Sequence, residues 1–257
     1  MRSVNQATAP RDGVARRAAL LCAAAAIALP WRPARAQGAE LPRFSTAAPS
    51  TAVPPGWRHE GLPKVERRNR FGIVADQGTA VLHVQSSSSA SSLVAPVQAG
   101  VEARPLLQWR WKVSRALAGS DVRTKPGDDY AARLYVLFDL PLERLSLGDR
   151  LRIQAARSLS GRDIPSAAIC YVWGTAQPAG TTAWNPYTDR VRMVVVDSGN
   201  DHAMQWRSVQ RDLRRDWQQA FAGPMPGVLA VAVGADTDNT GESVDAWFGD
   251  VLLAPAP

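Results

Sequence analysis

The sequence predicts an all-β fold, a single antiparallel β-sandwich that carries two short helices. Three observations point there. Short segments in which apolar and polar residues alternate recur along the chain between turn residues, the pattern of strands with one buried and one wet face. Helical stretches between them are too few for the strand–helix–strand repeats of a parallel sheet. The length beyond the N-terminal segment suits one core.

Taken in order, residues 1–36 read as a cleavable export signal. Arg2, Arg11, Arg16 and Arg17 make a basic stretch, and an apolar run of 12 residues, Ala18 to Leu29, follows it. A membrane-spanning helix needs about 20 residues, so no permanent anchor is expected. Pro30 ends the run, and Ala34-Arg35-Ala36 is the small-x-small pattern that a signal peptidase cuts. Arg16-Arg17 resembles a twin-arginine signal, which leaves that route and general secretion both open. The expected location is periplasmic or secreted.

Removing this segment changes the charge. The whole chain carries a net +7, whereas residues 37–257 hold 24 basic and 22 acidic side chains, a net +2. Nucleic acid is therefore not an expected partner. Cys22 falls in the signal and leaves Cys170 as the single thiol, which excludes an intramolecular disulfide. No later run reaches membrane-spanning length, and a monomer is expected.

Residues 37–56, rich in Pro, Ala, Ser and Thr without periodicity, read as a flexible lead-in to one domain over 57–254. Strands are expected over Ala80–Gln85, Ser92–Val97, Leu106–Val113, Tyr130–Phe138, Ala168–Trp173, Arg190–Val196, Leu229–Gly234 and Val244–Leu253. In Leu106–Val113, Leu107, Trp109, Trp111 and Val113 share one face, while Gln108, Arg110 and Lys112 share the other. In Tyr130–Phe138 the apolar set is Tyr130, Ala132, Leu134, Val136 and Phe138, opposite Asp129, Ala131, Arg133 and Tyr135.

A first helix is expected from about Arg150 to Leu159, capped by Asp149 and ended by Gly161, with Leu151, Ala155 and Leu159 as its buried stripe. A second is expected from about Leu213 to Ala222. There Leu213, Trp217 and Phe221 recur every fourth residue, Arg214, Arg215, Gln218 and Gln219 form a solvated face, and Gly223-Pro224 stops the helix.

Several chemistries find no motif: the chain has no G-x-G-x-x-G after a strand, no phosphate-binding G-x-x-x-x-G-K-[ST], no G-x-S-x-G and no C-x-x-C. Its three His, at 59, 83 and 202, form no metal pair. The densest oxygen cluster is Asp236-Thr237-Asp238-Asn239-Thr240-Gly241-Glu242. It opens like a calcium-binding loop, but the twelfth position, which should be a bidentate Glu, is Trp247. Asp236, Asp238 and Asn239 are thus the candidate ligands of a calcium ion, and an Asx-rich turn is the alternative.

Asp129, Arg133 and Tyr135 line up on one strand face, either as a surface ion pair with a ring beside it or as contacts for a ligand hydroxyl or carboxylate. Tyr171 and Trp173 share a face opposite Ala168, Cys170 and Val172, so two aromatics would face a cleft if the small residues face the core. Most of the nine Trp are expected in the core, and Cys170 reads as a buried small apolar residue. Gly180 to Asp189 reads as a long polar loop that could roof a cleft before a strand bearing Arg190 and Arg192.

Gly127-Asp128-Asp129-Tyr130-Ala131-Ala132-Arg133-Leu134-Tyr135-Val136, Cys170-Tyr171-Val172-Trp173 and Pro186-Tyr187-Thr188-Asp189-Arg190-Val191-Arg192, with Asp236 to Gly241 and Phe248-Gly249-Asp250, closely resemble the bacterial domain-of-unknown-function family 3047. The resemblance runs from about Trp57 to Leu252 and implies no activity or catalytic residue. More loosely, the order of strands resembles the jelly-roll, galactose-binding-like fold of carbohydrate-binding modules.

The expected function is non-catalytic binding of a glycan or polar small molecule on a concave sheet face by Arg110, Asp129, Arg133, Tyr135, Tyr171, Trp173 and Arg192. One alternative is a glycan-active enzyme, either a glycoside hydrolase pairing Asp129 with Asp236 or Asp238, or a lyase using Tyr135 and Arg133. Another is an envelope scaffold with an exposed apolar patch.

Overall fold

The computed structural model describes residues 40–62, 65–97, 104–160 and 165–256, with the side chains of 152 and 156–160 left aside. The expected export signal lies outside the described residues. Thirteen strands, β1 Arg58–Gly61, β2 Arg70–Asp76, β3 Thr79–Ser87, β4 Ala90–Pro96, β5 Leu106–Val113, β6 Tyr130–Phe138, β7 Ala167–Gly174, β8 Thr182–Asn185, β9 Thr188–Ser198, β10 Arg207–Asp212, β11 Val228–Asp236, β12 Ser243–Phe248 and β13 Leu252–Ala254, form two sheets. One runs β1-β4-β11-β6-β7-β9-β8; the other runs β10-β5-β12-β3-β2, with β13 also on β5. The chain crosses repeatedly from sheet to sheet, which gives the jelly-roll sandwich expected of the sequence. Every pairing is antiparallel except that of β7 with β9, which are parallel because the β8 hairpin strand intervenes in sequence.

The interior between the sheets holds the alternating set read from β5, Leu107, Trp109, Trp111 and Val113, together with Tyr171, Trp173 and Phe248. A second apolar cluster, including Cys170, Val172, Met193, Ala230 and Ala232, lies on the far face of the seven-stranded sheet and is also buried.

Four departures from the expected elements have physical causes. The four unforeseen strands, β1, β2, β8 and β10, are the four sheet edges; β1 and β8 have only four residues each, and β10, Arg-Ser-Val-Gln-Arg-Asp, shows little of the alternation that marks a central strand. The expected strand Val244–Leu253 is broken into β12 and β13, which continue along the same neighbour: Phe248 faces Trp111 and Leu252 faces Gln108. One extra residue is thereby accommodated in a bulge at Gly249-Asp250-Val251, opposite Arg110. Tyr130 belongs to the far-face cluster rather than to the interior, because an irregularity between Gly234 and Asp236 shifts the register of β11 against β6. The described part of the lead-in is not loose, since Leu41 and Phe44 are buried, Phe44 stacks on Trp57, and Ser50 bridges to Ile73.

The first helix, α1, spans Leu147–Ser160. Ser146 caps it by accepting from the Asp149 amide at 3.2 Å and donating to the Asp149 carboxylate at 2.9 Å, so Asp149 is the third helical residue and not the cap. The expected buried stripe is overturned: Leu151 is 66 % exposed and Ala155 is exposed, whereas Ile153 is buried. Arg150 donates to the Leu142 carbonyl at 3.1 Å and Asp149 lies 4.0 Å from Arg190. These anchors share a face with Ile153 and set the rotation. The rest of the stripe, Leu159, and the terminator Gly161 lie outside the described residues and side chains.

The second helix, α2, spans Leu213–Ala220, starting where expected and ending two residues early, with Phe221 as its extended C-cap. Leu213 and Trp217 are buried, Arg214, Arg215, Gln218 and Gln219 are exposed, and Asp212 caps the first turn. Among the described residues no helix is long and apolar enough to cross a membrane.

Candidate functional site

The seven side chains expected to make one binding face are distributed over four places. Tyr171 and Trp173 are fully buried between the sheets, at 0 % exposure. The Tyr171 hydroxyl donates to Asp216 at 2.6 Å and the Trp173 indole donates to the Gly199 carbonyl at 3.0 Å. It is the small residues opposite them, Ala168, Cys170 and Val172, that turn away from the interior and pack in the buried cluster on the far face. Arg192 lies at the edge of the seven-stranded sheet, over the Trp184 ring at 5.0 Å and bonded to Thr182.

Arg133 and Tyr135 stay together on the far face of that sheet. The Arg133 guanidinium pairs with Asp236 at 2.5 Å, donates to the Tyr135 hydroxyl at 2.9 Å and to the Asp128 carbonyl, and lies over the Tyr130 ring at 4.8 Å. Arg133 does not pair with Asp129, which is fully buried and turns to the 236–242 loop. Its carboxylate accepts from the Thr240 amide at 2.7 Å and hydroxyl at 2.8 Å, and from the Asn239 amide and side chain at 3.3 and 3.1 Å.

The stretch expected to be a polar roof is the β8–β9 hairpin. Its tip seals this cluster: Asn185 donates to Asp128 at 3.1 Å and the Tyr187 hydroxyl to the Lys125 carbonyl at 3.2 Å. Asp128 Oδ1 and the Tyr130 hydroxyl are buried without a hydrogen-bond partner among the described residues.

Burial governs the electrostatics here. It raises the Asp128 carboxyl above the usual carboxylate range, with Arg133 and Asn185 opposing. It pushes the Cys170 thiol up to about 12, again against Arg133. Burial works against the charge of Arg133, yet Asp236, Tyr135 and Asp128 together outweigh it and hold the guanidinium well above its ordinary value. Burial raises the Asp236 carboxyl well above the usual carboxylate range, and the Arg133 guanidinium is the main influence that opposes it.

Asp129, Asp236 and Asp238 bring oxygens within 4.8 Å of one another and are the residues that could hold a metal. Of these, both oxygens of Asp129 and both of Asp236 are already engaged, and Asn239 turns its donor group to Asp129. The loop has the features of an Asx-rich turn: Asp236 accepts from the Asp238 amide at 3.4 Å, and Gly241 takes φ +71°. The same carboxylates lie side by side, whereas a hydrolase places its pair about 5–9.5 Å apart across a substrate.

Arg110 stands on the opposite side of the molecule, on the outer face of the six-stranded sheet, where sequence reasoning had placed no aromatic partner for it. There Trp206, Lys112, Trp247 and His83 form a ladder across the strands. Arg110 lies 4.4 Å and Lys112 5.2 Å from the Trp206 ring centre, Lys112 is 4.6 Å from that of Trp247, and His83 stacks on Trp247 at 5.0 Å with planes 6° apart. Carboxylates neutralise part of it: Asp76 pairs with Lys112, and Asp245 with His83 at 2.7 Å.

Both indoles are half-buried. Beside them runs an open groove of about 440 Å³ lined by Gln108, Arg110, Ser208, Gln210, Thr79 and Asp250. A signal for this face was present in the sequence, because Trp247 is out of phase with the buried Val244, Ala246 and Phe248 and must point the other way.

The model of a family described as protein of unknown function (DUF3047) matches residues 55–252. The chain belongs to this family. No curated protein matches the DUF3047 chain in sequence. Among solved structures it is similar to the family 30 carbohydrate-binding module of the cellulosomal cellulase Cel9D-Cel44B of Clostridium thermocellum, at 12% identity over 81% of this chain and 94% of that one, TM-score 0.34. It is similar also to the xyloglucanase domain of NopAA, a type three effector from Sinorhizobium fredii in complex with cellobiose, at 8% identity over 80% and 96%, TM-score 0.39. A third is the cellulose induced protein Cip1, at 13% identity over 77% and 90%, TM-score 0.31. Scores this low carry no argument about ligand or activity for the DUF3047 domain.

Proposed function

We propose that this is an exported, non-catalytic binding domain for a glycan or a comparable polyhydroxylated small molecule, with its ligand on the outer face of the six-stranded sheet. The observation that carries the reading is the ladder Arg110–Trp206–Lys112–Trp247 beside an open groove of mixed apolar and polar lining that Arg110 shares. Side chains held by ring–cation contacts lose little freedom when a ligand arrives, which lowers the cost of binding. Half-buried indoles offer apolar surface to a sugar ring, and Gln108, Gln210 and Ser208 offer hydrogen bonds to its hydroxyls.

The enzyme alternatives receive less support. Asp129 and Asp236 are buried and tied to the loop and to Arg133, and Tyr135 accepts from Arg133 in the same covered cluster. The apolar groups exposed among the described residues, such as Val53, Trp184 and Met204, are spread over separate elements, apart from Leu147 and Leu151 on α1.

A glycan array probed with the protein and with Trp206→Ala tests the reading. Binding to at least one glycan that the variant loses is expected. Binding that survives Trp206→Ala and Arg110→Ala together would place the ligand elsewhere, and turnover of a bound glycan would make the protein an enzyme.

A further inference from the structure

Resting on that reading, we infer that the ligand is acidic: a uronic-acid saccharide whose carboxylate is held by Arg110.

The charges on this face do not stay equally available. Lys112 is paired with Asp76, Asp245 accepts from His83 and from Gln85, and Asp250 accepts both the amide of Ser45, at 2.9 Å, and its hydroxyl, at 2.5 Å. Arg110 alone among the groove's charged groups has no hydrogen bond or ion pair among the described residues; its contact is with the Trp206 ring. Asp250 keeps its charge but has its oxygens engaged by Ser45, so the charged group of the groove that is left without a hydrogen-bonding partner is the cation.

Arg110 is also placed rather than loose. On one side is the Trp206 ring. On the other is Gly249, where an added Cβ would come within 2.6 Å of Arg110 Cγ and 2.7 Å of its Nε. Gly249 donates its amide to the Arg110 carbonyl at 2.9 Å, which locks the bulge against this residue. The absence of a side chain at Gly249 thus makes a slot in which the arginine stem fits, and the guanidinium beside the Trp206 ring, on a residue that lines the groove, has no acceptor among the described residues.

A guanidinium fork matches a carboxylate with two parallel hydrogen bonds, which a lone hydroxyl cannot do. The neighbouring amides extend the recognition to a sugar. Gln108 donates to Gln210 at 2.6 Å, so the Gln210 side-chain amide still has its own donors for ring or hydroxyl oxygens next to the carboxylate.

Calorimetric titration of the protein with galacturonate, mannuronate and glucuronate oligomers, with their methyl esters, and with neutral cello-oligosaccharides tests this. Esterification keeps the sugar and removes only the charge. At least one acid oligomer is expected to bind about tenfold or more tightly than its ester, as loss of a charge-assisted pair predicts.

Arg110→Gln should abolish that preference while lowering the melting midpoint by no more than about 2–4 °C, the size of the lost ring contact, and Arg110→Lys, which keeps the charge without the fork, should restore only part of it. Acid and ester binding alike, with both lost in Trp206→Ala, would overturn the acidic ligand and leave the binding face standing. A preference that survives Arg110→Gln would overturn the role of Arg110. No binding to any acidic or neutral saccharide would overturn the binding face itself.

Discussion

Arg110 lies 4.4 Å from the Trp206 ring centre and is otherwise without a partner among the described residues, while Arg133, on the other sheet, makes four separate contacts. One arginine is presented to solvent and the other is built into the fold. Their substitutions should therefore separate binding from stability. Arg110→Ala removes a partly exposed cation–π contact, and unfolding in urea should show a loss of about 0.5–1 kcal/mol.

Arg133→Met should behave differently. It leaves the Asp236 carboxylate buried without its counter-charge, and breaking a buried pair from one side costs about 3–5 kcal/mol. The urea midpoint should fall far more than in Arg110→Ala. Equal losses in the two variants would show that the Arg133 cluster is not sealed.

Asp129→Ala removes the acceptor for the Asn239 and Thr240 amides and for both of their side chains. A loss of about 2–3 kcal/mol is expected from those orphaned donors. Because these oxygens are already committed, calcium should add nothing. A site with Kd of about 50 µM would contribute about 2.7 kcal/mol at about 5 mM calcium, so an unchanged melting midpoint with calcium or with a chelator is the expected result. A clear rise with calcium would assign Asp129, Asp236 and Asp238 to a metal.

Cys170 should be inert in the folded protein. Its thiol is buried and pushed up to about 12, so at pH 8 only about one molecule in ten thousand carries the thiolate. A thiol reagent should label it only after denaturation, at the rate of unfolding. Rapid labelling of the native protein would mean that the far face of the seven-stranded sheet opens.

Central strands were legible in the sequence because both of their faces obey a simple rule. The bounds of β5 and β6 and the α2 stripe of Leu213 and Trp217 follow from periodicity alone. The edge strands β1, β8 and β10 escaped because they are short or bury little in alternation, and the bulge at Gly249 interrupts alternation without a compositional sign. The proposed binding face escaped for a different reason. Period two places Tyr171 and Trp173 on one face of a strand, yet does not say which face meets the other sheet. Here both faces of the seven-stranded sheet are covered, so alternation of size rather than polarity decided the outcome. Arg110 was legible as a face-exposed cation, but its partner Trp206 comes from just before an edge strand that no pattern announces.

Hydrogen exchange measured with and without saturating glycan tests the placement of the ligand most directly. Protection confined to peptides covering residues 108–112 and 206–210, with residues 128–135 unchanged, is the predicted result. Protection centred on 128–135 and 236–242, with the six-stranded sheet unchanged, would contradict it.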